Sequence, residues 1–130
     1  MKAIALENPG RNYRLELTEI SKPRPGVDEI LIKVATAGIN RADILQAQGA
    51  YPPPSGAPQT LGLEVSGHVA ETGANAGNYQ VGDAVCALLS GGGYAEYAIA
   101  PVECVLPLPS SLDLIDAAAM KAALSYEQGR

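Results

Sequence analysis

The sequence predicts a mainly β (α+β) domain with short helices, arranged as a partly open antiparallel β-barrel. Three observations carry that prediction. Apolar runs of strand length recur through the chain, Gly 14 and Pro 10 among 130 residues punctuate them, and only two short stretches read as helix. With 47% hydrophobic residues the chain can bury one compact core, which points to a single domain. Phe and Trp are absent, so that core must be built from Val, Ile, Leu, Ala and Tyr.

Lys2 to Leu6 and Tyr13 to Ile20 flank a turn at Asn8-Pro9-Gly10. The second run alternates Tyr13, Leu15 and Leu17 against Arg14, Glu16 and Thr18, the period of a strand with one buried face. Two prolines in Lys22-Pro23-Arg24-Pro25-Gly26 exclude a central strand there, and Glu29 to Ala35, EILIKVA, follows as a core strand. Asn40 is placed to cap a short helix, RADILQAQ, with Asp43 at its N3 position and Gly49 as the left-handed residue that ends it. Four prolines between 51 and 58 restrict that stretch to an extended surface loop. Leu63 to Thr72 returns as a strand, and residues 73–78 form a turn. Ala84 to Leu89 and Tyr94 to Ala100 read as two strands joined by a Gly91-Gly92-Gly93 turn, with Val105 and Leu106 in a further short strand. Leu112 to Asp116, with Asp113 as cap, opens an alanine-rich helix that finishes the chain.

Formal net charge is −5, unevenly spread. Residues 1–41 carry seven basic and five acidic groups, whereas residues 42–120 carry eight acidic groups and no Lys or Arg. A face built from that second stretch repels phosphate backbones, so nucleic acid is not expected as a partner. An anionic cofactor is equally poorly served by it. Cys86 and Cys104 lie in apolar surroundings without CxxC spacing and read as buried structural thiols rather than a disulfide or a reactive pair. The one histidine, His68, falls in the alternating run EVSGHVAET and reads as a strand residue. One His and two dispersed Cys make no convincing zinc site. The start, MKAIALENPG, holds no apolar segment of signal-peptide or membrane-span length, so no membrane association is expected and the expected location is cytoplasmic.

Residues 37–67, AGINRADILQAQGAYPPPSGAPQTLGLEVSG, have the outline of a dehydrogenase active-site segment with its metal ligands missing. With Tyr-Pro-Pro-Pro at 51–54, the pattern closely resembles the zinc-free quinone oxidoreductases of the medium-chain dehydrogenase/reductase family. In the zinc alcohol dehydrogenases the short helix after the AG-hydrophobic turn opens with a cysteine, and a later Gly-His-Glu supplies a histidine. Here Asn40 and Leu63 stand in those places, and neither is a zinc ligand. The resemblance extends from Met1 to about Met120 through VCALLSGGGYAEYAIAP at 85–101 and LPLPSSLDLIDAAAM at 106–120. It implies a GroES-like catalytic domain over residues 1–120, the substrate-side half of the enzyme. Residues 121–130, KAALSYEQGR, depart from the family pattern and are expected to form a C-terminal helical tail, divergent or truncated before the cofactor domain.

A dinucleotide site needs a GxGxxG turn between a strand and a helix in a βαβ unit of ~30 residues, and the sequence has none. Gly91-Gly92-Gly93 leads into YAEYAIA, which alternates like a strand. The resemblance therefore implies NADPH or NADH as cofactor only with a Rossmann domain that this chain lacks, and no zinc. The implied reaction is hydride transfer to a quinone or a conjugated carbonyl (an enone), with little or no activity from the chain alone. The competing expectation is a non-enzymatic barrel module that self-associates, or binds a partner, through the apolar surface a second domain would cover.

For that chemistry the site candidates are Asn40 and Tyr51, each able to hydrogen-bond an oxygen on which negative charge develops. Asn40 is equally a plain helix cap. Tyr51 is equally a surface ring packed on its prolines. Asn40 and Arg41 are the cofactor-side candidates, although Arg41 and Asp43 read first as helix-end partners. Tyr51, Leu63 and Glu64 are the substrate-cleft candidates, and Glu64 is the acidic member kept from the Gly-His-Glu pattern. Tyr94 and Tyr97, three apart, are expected on opposite faces of one strand.

Overall fold

A computed structural model describes residues 1–50 and 55–109. In chain order the elements are β1 (Lys2–Glu7), β2 (Arg14–Glu19), β3 (Glu29–Ala37), α1 (Arg41–Ala47), β4 (Glu64–Thr72), β5 (Ala84–Leu88), β6 (Tyr97–Pro101) and β7 (Val105–Pro107), with a 3-10 turn at Val102–Cys104. β1 and β2 pair as an antiparallel hairpin. The other five strands form one antiparallel sheet in the order β6-β3-β4-β5-β7.

The sheet curls into a half-barrel. The register between β3 and β4 shifts at Leu31/Ile32 and again at Val34/Thr36, and each such irregularity bends and twists a strand locally. Its concave side is filled by Ile30, Ile32, Val65, Val69, Val85 and Ala98, aliphatic as the composition requires. Tyr79 closes one end, its hydroxyl donating to the Val105 carbonyl at 2.9 Å.

Two differences from the sequence expectation have physical causes. The glycine segment joins β5 to β6, but those strands are not neighbours: β6 pairs with β3, and β5 with β4 and β7. Residues 92–94 instead bond to the stretch before β4, with Gly92 N–H donating to Thr60 O, Gly93 N–H to Gly62 O and Tyr94 N–H to Leu61 O. Gly62, at φ +110, lies so near Gly93 that a Cβ on it would sit 2.6 Å from the Gly93 Cα. Glycine is needed at 62, and a Cβ on Gly93 would itself be tight, 3.0 Å from the Gly62 carbonyl carbon. The second difference is β2, whose alternation is real but whose apolar face is not covered: Leu15 is 48% and Leu17 68% exposed.

Smaller departures concern single residues. β6 begins at Tyr97, so Tyr94 lies outside it and the opposite-faces reading does not apply. Cys86 is buried as expected, Cys104 only partly, and the two form no disulfide. His68 is an exposed residue of β4. The expected helix from Leu112, the tail at 121–130 and Tyr51 with its three prolines lie outside the described residues.

Candidate functional site

The site grows from the corner where β3 runs into α1. Gly38 N–H donates to the Glu64 carbonyl at 3.0 Å, fastening that corner to the start of β4. A Cβ on Gly38 would fall 2.1 Å from Glu64 Oε1, so glycine here makes room for a carboxylate. Asn40 follows as the helix cap, extended at φ −124 and ψ 155. Its main-chain N–H donates to Asp43 Oδ2 at 2.9 Å, the reciprocal contact of a capping box. Gly49, at φ +80, ends the turn after α1 as expected.

The Asn40 side chain has a further partner, since its Nδ2 donates to Glu64 Oε1 at 3.1 Å. From the other side, the Tyr94 hydroxyl donates to Asp43 Oδ2 at 2.6 Å. Asp43 and Glu64 are each only 3% exposed, and Asp43 Oδ1 and Glu64 Oε2 have no hydrogen-bond partner among the described residues. Neither forms an ion pair among the described residues, where both ion pairs involve the β1–β2 hairpin. Burial lifts the Glu64 pKa above the ordinary carboxylate value, with the Asn40 bond opposing the rise and the Asp43 charge adding to it. Burial first, then the bond to Asp43 and its charge, raise the Tyr94 pKa, so its phenol keeps its proton.

Of the residues singled out by sequence, Asn40 and Glu64 are brought into contact. Leu63 precedes Glu64, half-buried, with its carbonyl accepting from Leu89 N–H at 2.8 Å. Arg41 is exposed at the helix start. The Asp43–Tyr94 pair is not legible in the sequence, where Asp43 reads first as a helix-end partner at N3 and Tyr94 as a strand residue.

Against this polar cluster lies an apolar cavity of about 420 Å³. Ile4, Tyr13 and Leu15 of the hairpin, Ile39 and Ile44 around α1, and Leu61 line much of it, and Asp43 and Tyr94 also border it. Neither Asn40 nor Glu64 reaches it.

The described residues do not fit the phosphates of a dinucleotide. Every strand pairing is antiparallel, so no βαβ unit exists among them. The start of α1, a helix of seven residues, is taken by the Asp43 carboxylate, which would repel a pyrophosphate. Among the described residues no group of three or more His, Cys, Asp or Glu is assembled to hold a metal, and no helix is long and apolar enough to cross a membrane.

Comparison with known proteins follows the same outline. The family profile of the alcohol dehydrogenase GroES-like domain matches residues 26–110. The chain belongs to that family. This GroES-like domain is 44% identical over 89 residues to the acryloyl-coenzyme A reductase of Sulfurisphaera tokodaii, covering 68% of the chain and 26% of that protein. It is 34% identical over 122 residues to the quinone oxidoreductase of Lama guanicoe, covering 92% of the chain and 37% of that protein. The solved structure of Escherichia coli quinone oxidoreductase complexed with NADPH superposes with a TM-score of 0.79 at 27% identity, over 91% of the chain and 36% of that enzyme. The relatives are thus quinone oxidoreductases and related medium-chain dehydrogenase/reductase enzymes, and the domain spans about a quarter to two-fifths of their length.

Proposed function

We propose that this GroES-like domain, residues 1–120, forms the substrate-side wall of an NAD(P)H-dependent reductase of quinones or conjugated carbonyls that works without zinc. The observation that carries the reading is the Asn40–Glu64 hydrogen bond, 3.1 Å long, at the corner where a metal-dependent relative places its ligands. An amide already fastened to a carboxylate, beside Leu63, offers a cation neither thiolate nor imidazole. It offers a hydrogen bond instead. The Asn40 amide keeps a second N–H after the bond to Glu64, able to meet a carbonyl oxygen or the nicotinamide amide. Tyr51 is the second proposed donor, Arg41 the proposed contact for the anionic cofactor, and Leu63 and Glu64 the proposed cleft wall. When bound, the cofactor would supply the hydride, its phosphates held by a dinucleotide-binding domain outside residues 1–120. The relatives named above reduce a quinone and, by its name, an α,β-unsaturated thioester, and both present a carbonyl conjugated to a double bond. That shared feature supports the proposed acceptor class. The location proposed is the cytoplasm.

The test joins this domain to the dinucleotide-binding domain of a relative and follows quinone-dependent NADPH oxidation. Activity in the joined protein, with no saturable NADPH binding by the domain alone, supports the reading. Stoichiometric zinc with activity lost on chelation, or micromolar NADPH affinity in the isolated domain, refutes it. A second reading, a self-associating module, is favoured by Leu17 at 68% and Ile39 at 80% exposure. A stable homo-oligomer in sedimentation, with no activity in the joined protein, would favour it.

A further inference from the structure

Asp43 and Tyr94, hydrogen-bonded to each other, border the apolar cavity. Asp43 Oδ2 receives two donors, the Asn40 main-chain N–H at 2.9 Å and the Tyr94 hydroxyl at 2.6 Å, and so acts there as an acceptor. A tyrosine has one proton to give. Because Tyr94 gives its proton to Asp43, its oxygen can only accept from a molecule in the cavity. Asp43 Oδ1 has no donor among the described residues but is fully buried, so the Tyr94 oxygen is the acceptor this pair offers to the cavity. Tyr13 also lines the cavity, but its hydroxyl can turn to donate or to accept and does not select between ligands. The rest of the lining is aliphatic, and the volume of about 420 Å³ falls within the range of small-molecule sites.

We propose that this cavity binds flat apolar molecules that carry a hydroxyl donor, phenols or hydroquinones, in preference to ketones or quinones of the same size. The site is distinct from the Asn40–Glu64 corner and does not rest on the reductase reading. It would bind a phenol in the isolated chain even if no joined protein ever turned over.

The experiment uses the isolated chain and three probes of nearly equal size: 4-propylphenol, 4-propylanisole, which lacks the donor, and 4-ethylacetophenone, which can only accept. Binding is followed through the methyl resonances of Ile39, Ile44 and Leu61. The phenol is expected to shift these signals saturably and to bind roughly three- to tenfold more tightly than either comparator, the worth of one neutral hydrogen bond. In Tyr13→Phe the same order is expected to hold. Equal binding of the three probes, tighter binding of the ketone, shifts that map elsewhere, or no binding at all would overturn the proposal. So would loss of the preference in Tyr13→Phe, which would move the selecting acceptor to the hairpin. The wild-type comparison decides the matter if that variant fails to fold.

Discussion

Gly38→Ala is the sharpest probe of the corner that holds Asn40. The added Cβ would lie 2.1 Å from Glu64 Oε1, 2.6 Å from its Cδ and 2.7 Å from its Cγ. Swinging the carboxylate tip aside relieves the first contact but not the last, and Glu64 is only 3% exposed, so it cannot simply turn into solvent. Moving it breaks the bond to Asn40. A hydrogen bond to a charged group is worth about 1.5–3 kcal/mol, and overpacking costs about 1–3 kcal/mol. The two overlap, because breaking the bond relieves the clash, so a loss of about 2–3 kcal/mol is expected rather than their sum. The Gly38 backbone lies outside the left-handed region, so alanine itself is unstrained there. In a Glu64→Ala background the same change should therefore be neutral, or stabilise by about 0.4–1 kcal/mol through the unfolded chain. Urea unfolding of the four proteins gives the coupling directly. Equal costs of Gly38→Ala in both backgrounds, or a cost under about 0.5 kcal/mol in the wild type, would refute the assignment of Glu64 to this corner.

Tyr94→Phe should lower stability by about 1–3 kcal/mol, read as a drop in urea midpoint, because it takes one of two donors from a buried Asp43 oxygen. Gly62→Ala should cost about 3 kcal/mol or more by the same measurement, since φ +110 and a Cβ 2.6 Å from the Gly93 Cα and the Tyr94 nitrogen leave only main chain to yield. For Glu64 the folded chain binds the carboxyl proton more tightly than the unfolded chain, whose value is near 4.5. Its contribution is therefore fully present below that pH and is lost as pH rises through the raised folded value. Comparing urea midpoints from about pH 4 to pH 7, Glu64→Gln should lose less stability than the wild type as pH rises; parallel profiles would contradict the shift.

Local rules were legible in the chain and distant pairings were not. Asn40 as cap, Asp43 at N3 and Gly49 as terminator are decided by residues within one helix length, and all three hold. The alternation of EVSGHVAET placed β4, because a two-residue period needs no knowledge of the partner strand. Tyr94 escapes the local rule for the opposite reason: YAEYAIA alternates throughout, yet its first three residues are drawn off by Leu61, the hairpin and Asp43, none of them near in sequence. Gly91-Gly92-Gly93 likewise allows a hairpin turn and equally a crossover, and local composition cannot separate them. In β2 the period correctly marked Leu15 and Leu17 as one face, but a period says nothing of whether a neighbour covers that face. For the candidate site, the contact of Asn40 with Glu64 could be anticipated only from the motif that held both, and the Tyr94 link only from the folded chain.

The bonds between residues 60–62 and 92–94 make a belt from two stretches far apart in sequence. Tyr94 hangs from that belt, and Asp43 hangs from α1, so the short bond between them works as a tether from loop to helix. Because the same Asp43 oxygen also accepts from the Asn40 main-chain N–H, the belt, α1 and the helix cap are joined through one carboxylate. The corner and the cavity are therefore linked by mechanics even though they share no ligand-facing atom.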